Sequence, residues 1–301
     1  MSNYLGIDWG GTFIKAGVVD SAGKLIKRKV YSCPELRKKE PFLAQIENLF
    51  QELKNYKIKA VGIGAPGIIN IPKGFIYYLP NIPGWENFEL KKVIEKKIKV
   101  PVFIDNDANV FALAEALLGA AKEKERVIFI TLGTGLGGAI VYNGKIVEGE
   151  VSASELGHVP ISLEGKLCGC GGRGCIETYA GNRYLLKRYY DLKERKSGVK
   201  DVKGIFEKAL LGEQEALRVW KEFSHSLGKF LAGMINVFNP EIIVIGGGIS
   251  EAFNLFKPFL ISEIHNQAMW PQLKNLKVVK AKLKDAGVIG AALLARQISE
   301  K

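Results

Sequence analysis

Residues 4–26 read YLGIDWGGTFIKAGVVDSAGKLI, and residues 127–147, VIFITLGTGLGGAIVYNGKIV, repeat their pattern. Each copy is an apolar strand, a Gly/Thr turn, a second strand, a tight Gly turn and a third strand. Gly10-Gly11-Thr12 in the first copy corresponds to Gly133-Thr134-Gly135 in the second. Glycines let backbone N–H groups approach an anion closely, and a Thr adds a hydroxyl donor, so each turn is the size of a phosphate site. One copy alone would serve equally well as an ordinary hairpin. Two copies, each with Thr beside Gly, point to a nucleotide triphosphate held between two lobes.

Outward from these turns, short β-branched or aromatic runs predict further strands at 59–64, 101–104 and 242–246. Helical periodicity predicts helices over 41–54, 90–98, 108–118, 216–238 and 287–296. Strands followed by helices imply parallel crossovers, while the opening hairpins add antiparallel neighbours. The expected architecture is α/β, with two lobes of mixed sheet flanked by helices. Residues 1–115 with 285–301 are expected to form a small lobe and 116–284 a large one. The polar stretch Asp191 to Gly204 is expected to be flexible.

Residues 133–138 match G-x-G-x-x-G after a strand. A dinucleotide fingerprint must open a helix, whereas Ala139 to Tyr142 continues as strand and turns at Asn143-Gly144. Phosphate binding is therefore expected at hairpin-type turns, with Thr131 at the end of the preceding strand. Gly246-Gly247-Gly248 closes the 242–246 strand and serves either as a simple turn or as an opening for adenosine beside Gly247 and Gly248.

The chain has 301 residues, 47% hydrophobic and 25% charged, enough for two cores. It has no apolar run of membrane-spanning length and no secretory leader pattern, so a cytoplasmic protein without a membrane partner is expected. The net charge of +12 would suit nucleic acid, but Lys outnumbers Arg 34 to 9 and is scattered among Glu on helical stretches. No nucleic-acid partner is expected from that pattern.

Asp105-Asn106-Asp107 ends one strand and precedes a helix, at the edge where open α/β sheets place ligands. Asp107 could cap the helix, and it could equally remove a hydroxyl proton, since the helix dipole favours its ionised form. Asn106 could hold a polyol by donating and accepting at once. Downstream, His158, Cys168, Cys170 and Cys175 form a Cys₃His set suited to a structural, four-ligand zinc. A disulfide would leave one of the three cysteines unpaired or recruit Cys33. Glu155 and Glu177 flank this set, where zinc would steady them, and Asn81 lies in a Pro/Gly-bounded loop.

With these motifs together, the sequence resembles the ROK family of sugar kinases and sugar-responsive repressors, within the actin-like, hexokinase-like ATPase fold. The resemblance rests on Asp8-Trp9-Gly10-Gly11-Thr12 with Lys15, Asn106-Asp107, the turn at Gly133, the Glu155/His158 segment, the cysteine cluster and Glu177. It implies that Asp107 is the catalytic base and that Asn106, Glu155, His158 and Glu177 bind sugar. It also implies that Asp8 helps to position magnesium, that ATP is the donor, and that the protein is a homodimer or higher homo-oligomer. A hexose kinase, with glucose the expected sugar and N-acetylglucosamine, N-acetylmannosamine or fructose the alternatives, is preferred over a regulator because the first strand starts at Tyr4 and both phosphate turns are intact. Zinc loss is expected to raise the Michaelis constant for sugar more than that for ATP.

Overall fold

The structure is a computed structural model that describes residues 2–11, 13–32, 35–79, 82–149, 151, 154–194 and 198–300. It divides into two compact units, Met1–Glu123 with Ile146–Ser154 and Lys282–Lys301, and Lys124–Lys145 with Glu155–Ala281.

In the first unit the strands are β1 (Asn3–Trp9), β2 (Phe13–Asp20), β3 (Leu25–Ser32), β4 (Ile58–Ala65), β5 (Ile68–Asn70), β6 (Phe75–Tyr78) and β7 (Val102–Asn106). Its helices are α1 (Lys39–Glu52), α2 (Leu90–Ile98), α3 (Asp107–Leu117) and α10 (Ala286–Ser299). The second unit holds β8 (Val127–Leu132), β9 (Leu136–Tyr142), β10 (Lys145–Ile146, whose last residue falls in the first unit), β11 (Ile242–Gly246) and β12 (Lys277–Lys280). Its helices are α4 (Glu177–Ala180), α5 (Asn182–Leu192), α6 (Val202–Leu210), α7 (Gln214–Phe238), α8 (Phe253–Gln267) and α9 (Trp270–Leu273).

The duplication in sequence is a duplication of topology. One sheet runs β3-β2-β1-β4-β7 and the other β10-β9-β8-β11-β12. In each, the leading strand pairs antiparallel with its hairpin partner and parallel with the next strand, and another parallel strand follows. β5 and β6 form a separate hairpin.

Strand alternation sorts the first unit into three layers. Leu5, Ile7 and Trp9 of β1 join Phe42, Ile46 and Leu49 of α1 and Leu90, Ile94 and Ile98 of α2 in one core. Trp9, Phe42 and Trp85 stack there with ring centroids 3.9 to 5.3 Å apart. The opposite face carries Tyr4, Ala60 and Val19 against Ala292 and Ala295 of α10. A Cβ at Gly6 would lie 1.9 Å from the Val288 carbonyl, and one at Gly62 would lie 1.7 Å from that of Ala291, so glycine lets α10 lie directly on the strands. The second core gathers Ile128, Ile130 and Leu132 of β8 with Trp220 and Phe223 of α7 and Phe256 of α8.

The observed elements extend the sequence expectations at several places. β5, β6 and β12 are too short, or too rich in Lys and Tyr, to stand out as apolar alternation. Pro258 lies inside α8, and a proline there argues against a helix when the sequence is read alone. Asp191 to Gly204 includes the end of α5 and the start of α6, where Asp201 Oδ1 caps the helix by accepting from Gly204 N–H at 2.9 Å. The units part at 123/124, 145/146, 154/155 and 281/282, where the sequence reading expected 115/116 and 284/285. Fully buried Glu115 holds both flanks to the first unit, accepting from Ala120 N–H and Leu283 N–H at 2.7 Å each. Among the described residues no helix is long and apolar enough to cross a membrane.

Candidate active site

In the first unit, strand register brings the predicted residues to one edge of the sheet. Lys15 pairs with Asp8, Asp8 with Gly64, and Gly64 with Asp105. They share the α10 face at the carboxyl ends of the parallel strands, where ligands of open α/β sheets bind. Lys15 Nζ lies 3.8 Å from Asp8 Oδ2. Burial pushes the Asp8 carboxyl up, Lys15 draws it back and Asp285 raises it. A Cβ on Gly287 in the first turn of α10 would sit 2.7 Å from Asp8 Cγ, so that glycine leaves room for the carboxylate.

The first turn closes with Gly10 N–H donating to Phe13 O at 3.0 Å. Arg37 Nη2 donates to Gly11 O at 2.9 Å, and Trp85 Nε1 donates to Arg37 O at 2.7 Å, tying the turn to the aromatic core. Thr12 and Asn81, both expected to touch ligand, lie outside the described residues, as does Cys33.

At the end of β7, Asn106 rather than Asp107 caps α3. Its Oδ1 accepts from Ala108 N–H at 2.8 Å. The cap falls one residue early because extended Asn106 already turns its side chain onto the first helical N–H groups. The cap takes up one of the two acceptor positions of that oxygen, and Nδ2, 3.5 Å from Gly67 O, is the donor of the same side chain. Asp107 stands half-buried as the first residue of α3, where the helix dipole supports a carboxylate.

Asp105 carries more than its sequence position suggested. It is 3% exposed, and its Oδ1 accepts from Asn106 N–H at 2.6 Å and Asn109 Nδ2 at 2.9 Å. Burial pushes its carboxyl up to about 6, those hydrogen bonds oppose the rise, and Glu148 adds to it. Asn109, four residues further along the chain, is the one sequence feature that marks this contact, and it was not singled out.

In the second unit, Thr131, the second turn and the Gly247 loop come together. Thr131 pairs with Gly246 across β8 and β11, and Gly133 N–H donates to Gly135 O at 3.0 Å. Gly247 has φ +84°, and a Cβ there would lie 2.3 Å from Leu132 O, so both conformation and proximity require glycine. Gly248 opens a 3₁₀ turn over Gly248–Ala252. β9 follows the turn directly, as the rejection of a dinucleotide fingerprint anticipated.

Glu155 precedes a 3₁₀ turn over Leu156–His158. Its Oε1 is buried with no partner among the described residues. Burial, then the charge of Glu177, pushes its carboxyl up to about 7. Glu177 starts α4, and its Oε2 accepts from Leu136 N–H at 3.1 Å.

His158, Cys168, Cys170 and Cys175 place one ligand atom each within 4.8 Å of one another. Cys168 Sγ is 3.5 Å from His158 Nδ1, and Cys170 Sγ is 3.7 Å from Cys175 Sγ. A tetrahedral zinc sets sulfur pairs about 3.8 Å apart and sulfur–nitrogen pairs about 3.5 Å apart, so these two pairs match that ion's spacing. The Cys170–Cys175 separation is far too long for a disulfide, which needs about 2.05 Å. Burial and the neighbouring Cys170 and Cys168 push the Cys175 thiol up to about 12, so its thiolate needs a cation beside it. With Nδ1 turned to the sulfurs, His158 keeps Nε2 for another partner.

Two sheets of one topology, each with a glycine turn after its leading strand, define the actin-like, hexokinase-like ATPase fold. Within it the chain belongs to the ROK family, whose sequence profile matches residues 4–298. A glucokinase of Thermotoga maritima is 34% identical over 307 residues, 97% of each chain. A ROK family glucokinase from Streptomyces griseus, solved with glucose and AMPPNP, superposes with a TM-score of 0.87 at 32% identity over 98% of this chain and 100% of that one. A xylose repressor of Caldicellulosiruptor bescii is 31% identical over 96% of this chain and 76% of its own length.

Proposed function

We propose that this chain is an ATP-dependent glucokinase, transferring the terminal phosphoryl group of ATP to the 6-hydroxyl of glucose. The likeness to glucokinases over nearly the full chain supports the reaction class. The observation that carries the mechanism is the placement of Asp107, a half-buried carboxylate at the start of α3, beside the sheet edge that also bears Asp8 and Lys15.

Asp107 accepts the hydroxyl proton as the sugar oxygen attacks the γ-phosphorus in line. Phosphoryl transfer depends on positioning and on stabilising the charge of the transferring group, so the remaining residues hold and orient. Gly10, Gly11, Thr12 and Lys15 in one unit, and Thr131, Gly133, Thr134 and Gly135 in the other, bind phosphates, with Gly247 and Gly248 on the adenosine side. Asn81, Asn106 as a donor, Glu155, His158 through Nε2 and Glu177 bind the sugar.

Asp8 would hold magnesium, which when bound neutralises charge on the phosphates; a half-buried carboxylate with Lys15 nearby fits a cation that keeps most of its ligands as water and phosphate oxygen. His158, Cys168, Cys170 and Cys175 would hold a structural zinc that fixes the segment bearing Glu155 and Glu177. The same reading takes the protein as a cytoplasmic homodimer or higher homo-oligomer.

A coupled ADP-release assay across glucose, fructose, N-acetylglucosamine and N-acetylmannosamine tests the proposal. Glucose is expected to give the highest kcat/KM. A preference for an acetylated sugar would move the assignment to another kinase of the family, and turnover of none of them, with sugar-dependent DNA binding in its place, would favour a regulator.

A further inference from the structure

We propose that Glu177 is also a positioning residue for the second phosphate turn, one carboxylate oxygen serving the turn and the other remaining for sugar. The inference rests on the reading of residues 133–135 as phosphate binders and adds a link that reading lacks. Glu177 Oε2 accepts from Leu136 N–H at 3.1 Å, at the point where the turn becomes β9. On the other side of the turn, Asn182 N–H donates to Gly133 O at 3.0 Å. Residues 177–182 thus grip both ends of the turn.

The fit is close at every point of contact. A Cβ on Gly135 would lie 1.9 Å from Glu177 Oε2, so the carboxylate fills the space a side chain would need. A Cβ on Gly181 would lie 3.0 Å from Thr134 O, and one on Gly157, beside His158, would lie 2.0 Å from Leu136 O. Glu177 stands two residues beyond Cys175, so the segment tied down by the Cys₃His cluster is the same segment that shapes the turn. A carboxylate suits this task because a charged acceptor makes a stronger bond to a backbone N–H than a neutral one. It also keeps Leu136 N–H occupied, leaving Thr134 and Gly135 as the expected phosphate donors.

The test measures the Kd of AMPPNP by calorimetry without sugar, beside the KM for glucose, in wild type, Glu177→Ala, Glu177→Gln, Gly135→Ala and the Gly135→Ala/Glu177→Ala double variant. Thermal melts report folding. Glu177→Ala is expected to weaken AMPPNP about fivefold or more, the loss of one charge-assisted hydrogen bond. Glu177→Gln, whose amide oxygen still accepts from Leu136 N–H, should stay within about twofold for nucleotide while its glucose KM rises.

Gly135→Ala should weaken nucleotide in the wild-type background and add nothing in the Glu177→Ala background, where the blocking carboxylate is gone. Unchanged AMPPNP affinity in Glu177→Ala, or losses that multiply in the double variant, overturns the inference. If Glu177→Ala does not fold, Glu177→Gln and Gly135→Ala decide: affinity kept in the first and lost in the second supports it, and any other pair of results overturns it. Failure of the wild type to bind AMPPNP would instead sink the functional reading on which it rests.

Discussion

Asp105→Asn should make the protein more stable at neutral and alkaline pH, by an amount set by how costly the buried charge is. Burial lifts the Asp105 carboxyl from its ordinary 3.8 to about 6, outweighing the hydrogen bonds from Asn109 and from the Asn106 backbone. At about 1.4 kcal/mol for each pH unit, holding the ionised form costs about 3 kcal/mol. The folded value lies above the unfolded one, so the stability this group confers is complete below about pH 4 and is lost as pH rises through about 6.

Asparagine is neutral throughout, and its amide oxygen can still accept from Asn106 N–H and Asn109 Nδ2. The variant is therefore expected to match wild type at pH 4 and to exceed it by up to about 3 kcal/mol at pH 8. At about 2 to 4 °C per kcal/mol this raises Tm by roughly 6 to 12 °C. Calorimetric melts stepped from pH 4 to pH 8 measure it. A variant less stable than wild type at pH 8, or a difference that does not change with pH, would show that Asp105 is not held ionised against its surroundings.

Gly62→Ala should destabilise the first unit by about 1 to 3 kcal/mol or more, because the new methyl meets the Ala291 carbonyl and must push α10 off the sheet; a denaturant titration followed by circular dichroism measures it. If the Cys₃His cluster holds zinc, chelation followed by metal analysis should raise KM for both glucose and ATP, because residues 177–182 hold the second turn as well as the sugar-side carboxylates. This replaces the expectation of a sugar-dominated effect, and a change confined to glucose would restore it. Trp85→Ala should cost about 3 to 5 kcal/mol, since it empties the centre of the Trp9/Phe42/Trp85 stack and removes the bond to Arg37 O; thermal melts would show a change below 1 kcal/mol if that stack were peripheral.

The repeated turns were legible because each lies between β-branched strands, whose alternation and glycine punctuation are local. β1, β2, β8 and β9 fall within a residue or two of where those patterns place them. The Cys₃His cluster was legible for a similar reason: three thiols within eight residues are a local signal, and the fold had only to bring in His158. β12 was not legible, because Lys-Val-Val-Lys looks like solvated surface until β11 supplies a partner.

The site shows the same division. Asn106 and Asp107 could be singled out from sequence, but which of them caps α3 depends on a backbone torsion that no residue type states. The contacts of Arg37 with Gly11, and of Glu177 with Leu136, join residues 26 and 41 positions apart. Such links exist only once tertiary packing closes them. Gly62 reads as an ordinary strand glycine and Gly135 as a turn glycine; the atoms that would meet a Cβ at either come from distant segments.

The account stands most directly on the turnover of Asp107→Asn, measured by coupled ADP release, beside its glucose affinity by calorimetry. Loss of the base should lower kcat by about 10²- to 10⁴-fold while glucose binding stays within about threefold of wild type. Turnover near that of wild type would contradict the assignment of Asp107 as the group that takes the proton.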